Sequence, residues 1–253
     1  MGALHRGHIS LIEKAKQECE IVVCSIFVNP TQFNDKKDLE KYPRPIEHDM
    51  EMLLQSGCDV LYLPDATDMY HEGEPKLKHY ELGYLDKVLD AAFRPGHFQG
   101  VANVVFRLLS KVEPDKIFLG RKDFQQVQII RRMMELEKIS TQIIECDTVR
   151  EASGLAMSSR NVRLSEEAWN NAAMISEILF YLKKRKNDFH SASALRKEGI
   201  RRLQLIPDSK LEYLEICDAQ TLQPMELLVE GKPSVALVAI VVDGVRLIDN
   251  IMI

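Results

Sequence analysis

The chain has 253 residues, enough for one large domain or two smaller ones, each with its own core. Its 33 basic and 38 acidic residues leave a net charge of −5, which argues against sequence-blind binding to nucleic acid. The composition, 45% hydrophobic and 28% charged, is that of a globular protein. The longest apolar run, residues 235–242, is too short to span a bilayer and reads as a buried strand. No signal-peptide pattern is visible, and no membrane partner is expected. Cys19, Cys24, Cys58, Cys146 and Cys217 are odd in number, scattered and without a C-x-x-C pair. They read as buried thiols of a cytoplasmic protein, with neither a disulfide nor a zinc site.

In chain order, Ile9, Ile12, Ala15 and Cys19 recur at helical spacing. Residues 21–28 form a β-branched apolar run, as a strand covered on both faces requires. A helix is predicted near 46–55 and a strand at 60–63. Further helices are predicted at 101–111 and 124–136, with strands at 116–119 and 141–146. This alternation predicts βα units in a parallel sheet, with ligands at the carboxyl ends of the strands. After residue 161 two long helical stretches (165–186 and 191–205) precede strands near 211–216, 235–242 and 245–248. That order predicts a small α+β domain.

Three segments carry candidate chemistry. Met1-Gly2-Ala3-Leu4-His5-Arg6-Gly7-His8 places two histidines on one face of a helix start, where unpaired N–H groups and the helix dipole attract phosphate. Alone, the pair is equally compatible with ordinary capping or surface histidines. Gly120-Arg121-Lys122-Asp123 sits between a predicted strand and helix, where Lys122 can meet a phosphate and Asp123 a ribose hydroxyl or a helix cap. Met157-Ser158-Ser159-Arg160-Asn161 offers hydroxyls, a guanidinium and loop N–H groups for an anion. Each segment alone also reads as a polar loop. Three such segments at successive strand ends resemble the paired signatures of nucleotidyltransferases.

Further motifs narrow the resemblance: Phe27-Val28-Asn29-Pro30-Thr31-Gln32-Phe33, Tyr42-Pro43-Arg44, Arg94-Pro95-Gly96-His97-Phe98-Gln99-Gly100, Lys122-Asp123-Phe124-Gln125-Gln126, the stretch from Arg150 to Asn161, and Arg246-Leu247-Ile248-Asp249-Asn250. In this order they resemble the pantoate–β-alanine ligase family over essentially the whole chain. The resemblance implies a Rossmann-like α/β domain with helices on both faces of a parallel sheet (residues 1–155), and a small C-terminal α+β domain (156–253) closing over the site. It implies that ATP and pantoate form pantoyl-adenylate and pyrophosphate, after which β-alanine displaces AMP. By motif position, residues 1–8, Gly120, Arg121, Lys122, Asp123, Val149, Met157, Ser158, Ser159 and Arg160 would bind ATP. His5, His8, Lys122 and Arg160 would be catalytic, with His8 as proton donor to pyrophosphate. Gln32, Gln126, Asn29 and His97 would bind the organic substrates, and Asp49 would hold Mg2+. The resemblance also implies a homodimer.

Three departures stand out: Arg121 where the family usually has Glu, His48 beside Asp49 where an acid is common, and Asp90-Ala91-Ala92-Phe93 where Glu-Gly is frequent. The family also carries a helix and a central strand just before the Met of its M-G-A-L-H segment. Leaving out that strand exposes about five core side chains at about 1.5–3 kcal/mol each. The roughly 8–15 kcal/mol involved rivals a whole domain's stability. The expectation is therefore that the natural protein has residues upstream of Met1. The alternatives are an N-terminally truncated, catalytically impaired nucleotide-binding homologue, or a different small nucleotidyltransferase.

Overall fold

The computed structural model describes residues 1–32, 39, 40, 42–70 and 77–253. Phe33, the last residue of the motif that begins at Phe27, lies outside the described residues. The chain packs as two units, Met1–Asp147 and Thr148–Ile253. In the first, α1 (Arg6–Glu18), β1 (Val23–Ser25), α2 (Ile46–Gln55) and β2 (Val60–Tyr62) come first. They are followed by α3 (His97–Val112), β3 (Lys116–Gly120), α4 (Phe124–Glu137) and β4 (Gln142–Cys146).

β1 pairs with β2 in parallel, Val23 opposite Val60, and β3 pairs with β4 in parallel, Lys116 opposite Gln142. Parallel neighbours cannot be joined by a hairpin, so each pair needs a crossover, and the apolar stripes of α2 and α4 make them helical. Among the described residues the two ladders remain separate, where the sequence predicts a single sheet. Their cores nevertheless touch. Phe118 of β3 packs against Leu4, Ile12, Cys24, Ile26 and Leu53. A second cluster joins Phe98, Val101, Ala102 and Leu109 of α3 to Ile129, Ile130, Met133 and Met134 of α4, the spacing of one helical face on each. The strands therefore end in two loops with fixed bases: residues 26–32 after β1, and the single turn Arg121–Asp123 after β3.

In the second unit α5 (Glu166–Arg185) and α6 (Ala192–Leu203) precede β5 (Ser209–Asp218), β6 (Ser234–Val242) and β7 (Val245–Met252). The three strands are antiparallel with β6 in the middle. Both helices start on a serine: Ser165 accepts from the Ala168 amide at 3.2 Å and Ser191 from the Ala194 amide at 3.0 Å. Glu166 and Glu167 in the first turn of α5, with Lys183, Lys184 and Arg185 in its last, complement the helix dipole. Every residue of β6 except Val241 is buried, which explains its unbroken apolar run. Leu179 and Leu182 of α5, Leu195 and Leu203 of α6, and Leu214, Val238 and Ile240 of the strands make one core.

All five cysteines are free. Cys24 and Cys217 are buried, and burial pushes both thiols up to about 12, whereas Cys19, Cys58 and Cys146 are half-buried rather than buried as expected. Among the described residues no helix is long and apolar enough to cross a membrane. Leu179 is fully buried in the helix–sheet core of the second unit. Leu179→Ala is expected to cost about 2–5 kcal/mol, seen in urea melts as a lower midpoint with an unchanged slope.

Candidate active site

Two histidines define the start of α1. His5 is the N-cap, and its Nδ1 accepts from the Gly7 amide at 3.2 Å. The His8 Nδ1 accepts from the His5 amide at 3.3 Å, so the two rings cap the helix reciprocally. Their centroids lie 4.0 Å apart. An Nδ1 that accepts leaves the proton of a neutral ring on Nε2, so each imidazole keeps an Nε2–H donor beyond the helix. Neutrality is enforced by the surroundings. Burial, with Lys122 adding its charge, lowers His5 to about 4. Burial, and then the adjacent His5, lowers His8 to about 2. Arg6 turns along the helix instead and pairs with Glu13 at 2.6 Å.

The loop leading into this helix is shaped by Asp49, in the first turn of α2. Its carboxylate accepts from the Ala3 amide at 2.8 Å and the Leu4 amide at 2.6 Å, and only 1% of the residue is exposed. Ala3 is held left-handed, at φ 48°. Magnesium favours several waters and one or two accessible carboxylates. A buried carboxylate with both oxygens engaged by main-chain amides does not fit that ion. Among the described residues, no group of three or more His, Cys, Asp or Glu could hold a metal. His48, its neighbour in sequence, is exposed.

After β1, the turn Pro30–Gln32 is built around Asn29, itself only 1% exposed. The Asn29 Oδ1 accepts from the Tyr70 hydroxyl at 2.7 Å and the Thr31 hydroxyl at 3.0 Å, while its Nδ2 donates to the Gly100 carbonyl at 3.2 Å. His97, at the start of α3, donates from Nδ1 to the Gln32 carbonyl at 2.8 Å, with Arg94 3.0 Å from its Nε2. Asn29 and His97 therefore hold the turn that carries Gln32. Gly100 is needed because a Cβ there would sit 2.5 Å from the Thr31 carbonyl oxygen. Tyr70 escapes sequence reasoning: it is an isolated tyrosine whose role depends on a contact 41 residues away.

Lys122 and Asp123 occupy the turn after β3, their charged ends 3.7 Å apart. The Lys122 charge reaches both histidines. Arg121 pairs with Asp147 at 2.6 Å and lies 3.5 Å from Glu145. On α4, Gln125 is buried and fully engaged, accepting from the Asp90 amide and donating to the carbonyls of Leu85 and Val88. The next residue, Gln126, is half-buried and faces elsewhere. Thus His5, His8 and Lys122 are brought together, with Gln126 one turn along α4 from Lys122.

In the second unit, residues 149–157 form a closed loop, with the Met157 amide donating to the Val149 carbonyl at 3.0 Å. Arg150 fixes it by a bidentate pair with buried Asp249, at 2.6 and 2.9 Å, and by a third bond to the Gly154 carbonyl. The following turn is closed by the Asn161 amide on the Ser158 carbonyl at 3.0 Å. Ser158, Ser159 and Arg160 are half-buried on it.

Parallel strands ending in a turn with a lysine, beside a helix start with two neutral imidazoles, define an α/β enzyme with an anion-receiving end. The family model described as pantoate-beta-alanine ligase matches residues 1–252. A pantothenate synthetase from Porphyromonas gingivalis is 44% identical over 251 residues, covering 99% of this chain and 88% of that protein. One from Cytophaga hutchinsonii is also 44% identical, over 100% and 89%. Among solved structures, pantothenate synthetase from Thermus thermophilus superposes with a TM-score of 0.93 at 39% identity, covering 99% of this chain and 90% of that one. Pantoate-beta-alanine ligase from Francisella tularensis, complexed with beta-gamma ATP and beta-alanine, gives 0.77 at 38% identity, covering 100% and 87%. The chain belongs to the pantoate–beta-alanine ligase family.

Two outcomes follow from this geometry. The folded pKa of His8 lies below its unfolded value near 6.5, so unfolding takes up a proton once the pH is below 6.5. Stability is therefore lost as the pH falls through that range. His8→Asn is expected to flatten the fall between pH 6 and 4 by about 1.4 kcal/mol per pH unit, read from urea melts. Gly100→Ala is expected to cost about 1–3 kcal/mol and to shift the amide resonances of Thr31 and Gln32.

Proposed function

We propose that the chain condenses pantoate with β-alanine through pantoyl-adenylate, consuming ATP and releasing pyrophosphate and AMP. The observation that carries this reading is the pair of neutral imidazoles at the start of α1 with Lys122 beside them. Family membership supplies the substrates. The Francisella tularensis relative, complexed with beta-gamma ATP and beta-alanine, supports the nucleotide and the amine.

An oxygen of the pantoate carboxylate attacks the α-phosphorus, and the bond from phosphorus to the bridging oxygen breaks to release pyrophosphate. The β-alanine amine, as its free base, then attacks the acyl carbon. The acyl C–O bond breaks, AMP leaves with the pantoate-derived oxygen, and the amine nitrogen loses its proton to solvent. No protein nucleophile is required, so the protein orients the reactants and neutralises charge. His5 and His8 donate Nε2–H bonds to the phosphates, and Lys122 adds a point charge. Because His8 is held neutral, it acts first as a hydrogen-bond donor and becomes an acid only as negative charge gathers on the leaving oxygen. In the second unit Ser158, Ser159 and Arg160 provide further phosphate contacts, with Val149 and Met157 on the nucleotide. Gln32 and Gln126 take pantoate, their amides suiting both hydroxyl and carboxylate oxygens. Asn29 and His97 serve the substrate through the turn that they hold. Magnesium carried in with ATP would supply further charge neutralisation on the phosphates. Family membership also leads us to propose a cytoplasmic homodimer.

Pyrophosphate release from Mg-ATP that depends on pantoate is the expected outcome. With pantoate labelled in its carboxylate by 18O, one label is expected in AMP after β-alanine is added. Lys122→Ala is expected to lower kcat by about 100- to 1000-fold. Release without pantoate, or unlabelled AMP, overturns the adenylate route. No release at all favours a nucleotide-binding protein without catalysis.

A further inference from the structure

We infer that Asp49 is a positioning residue that sets the geometry of the phosphate-facing helix start, and is not a metal ligand. The inference rests on the reading that His5 and His8 meet the phosphates. Three observations converge on it. Both carboxylate oxygens accept from consecutive main-chain amides, at 2.8 Å from Ala3 and 2.6 Å from Leu4. These two residues immediately precede the capping His5, so any rotation of their peptide planes swings both imidazoles. Ala3 is left-handed, at φ 48°, a conformation that an L-residue with a Cβ adopts at a cost. Aiming two N–H groups at one point is what a single anionic acceptor can impose on such a turn, and Asp49 is that acceptor, sealed from solvent.

The carboxylate is held in turn by its own helix. The Asp49 amide donates to the Pro45 carbonyl at 2.9 Å in the first turn of α2. Leu53, one turn further on, packs in the same cluster as Leu4 and Ile12 of the segment being positioned. The clamp and the clamped loop are therefore parts of one core, and α2 supplies the fixed point from which the histidines are aimed.

Two variants and one direct probe test this. Asp49→Asn keeps the shape but turns one acceptor into an N–H donor facing another donor. It is expected to lower kcat/KM for ATP by about 10- to 100-fold. The Mg2+ concentration giving half-maximal rate should not change. Ala3→Gly, which relieves the left-handed strain, is expected to recover part of that loss in the Asn background. A metal-ligand role predicts the opposite pattern: a raised Mg2+ requirement, rescue by excess Mg2+, and no coupling to Ala3. The direct probe needs no variant. Mn2+ added to nucleotide-free wild-type protein is expected to leave the Ala3 and Leu4 amide resonances sharp. Broadening of those resonances, or an Asp49→Asn enzyme with normal kcat/KM, overturns the inference. If wild-type protein releases no pyrophosphate with pantoate, the proposed reaction fails instead, and the Mn2+ experiment still decides the role of Asp49.

Discussion

One buried carboxylate holding two consecutive amides is the constraint on which the anion-receiving end of the first unit depends. A helix N-terminus offers N–H groups wherever it lies, but their direction is set by the chain that leads in. Here that chain is pinned at Ala3 and Leu4 by Asp49, and the helix then begins at His5. Reciprocal capping by His5 and His8 continues the same logic. The rings are stabilised in their neutral form, share the task of ending the helix, and keep one donor each for a ligand.

The second unit solves a similar problem with different chemistry. Its half-buried serine–arginine turn follows a loop anchored by Arg150 on Asp249, about a hundred residues later in the chain. A bidentate guanidinium–carboxylate pair with one partner buried is directional and resists rotation. The base of the turn is thereby tied to β7, while its tip keeps the side chains that suit an anion. The motif near the chain's end, Arg246 to Asn250, owes its place among the recognisable segments to this anchoring.

Much of this was legible in the sequence. The alternation of apolar runs with 3.6-residue stripes located every labelled helix and strand, but not the burial of the parallel strands. Ile21 and Val23 are exposed where a strand covered on both faces is expected at 21–28, Val60 of β2 is exposed too, and β3 and β4 are at most half-buried. The three anion segments were visible as well, since glycine, histidine, lysine and serine cluster where strands end. Long-range assignments were harder to see. Asn29, His97 and Asp49 look from the sequence like residues for a ligand, yet they are buried and satisfy main-chain groups far away in the chain. Gln125 and Gln126 are adjacent and identical in type, yet one is wholly engaged in the scaffold. Only tertiary packing distinguishes them, because a helix turns each successive residue by about 100°. The single predicted sheet became two parallel ladders among the described residues, a difference in hydrogen bonding that periodicity cannot report.

The neutral histidines have a consequence for the helix itself. Each Nδ1 accepts a main-chain N–H, and a protonated imidazole has no acceptor left. Taking up a proton therefore costs the cap of α1 and places a charge at a buried position in one event. The start of α1 resists acid as a unit rather than ring by ring.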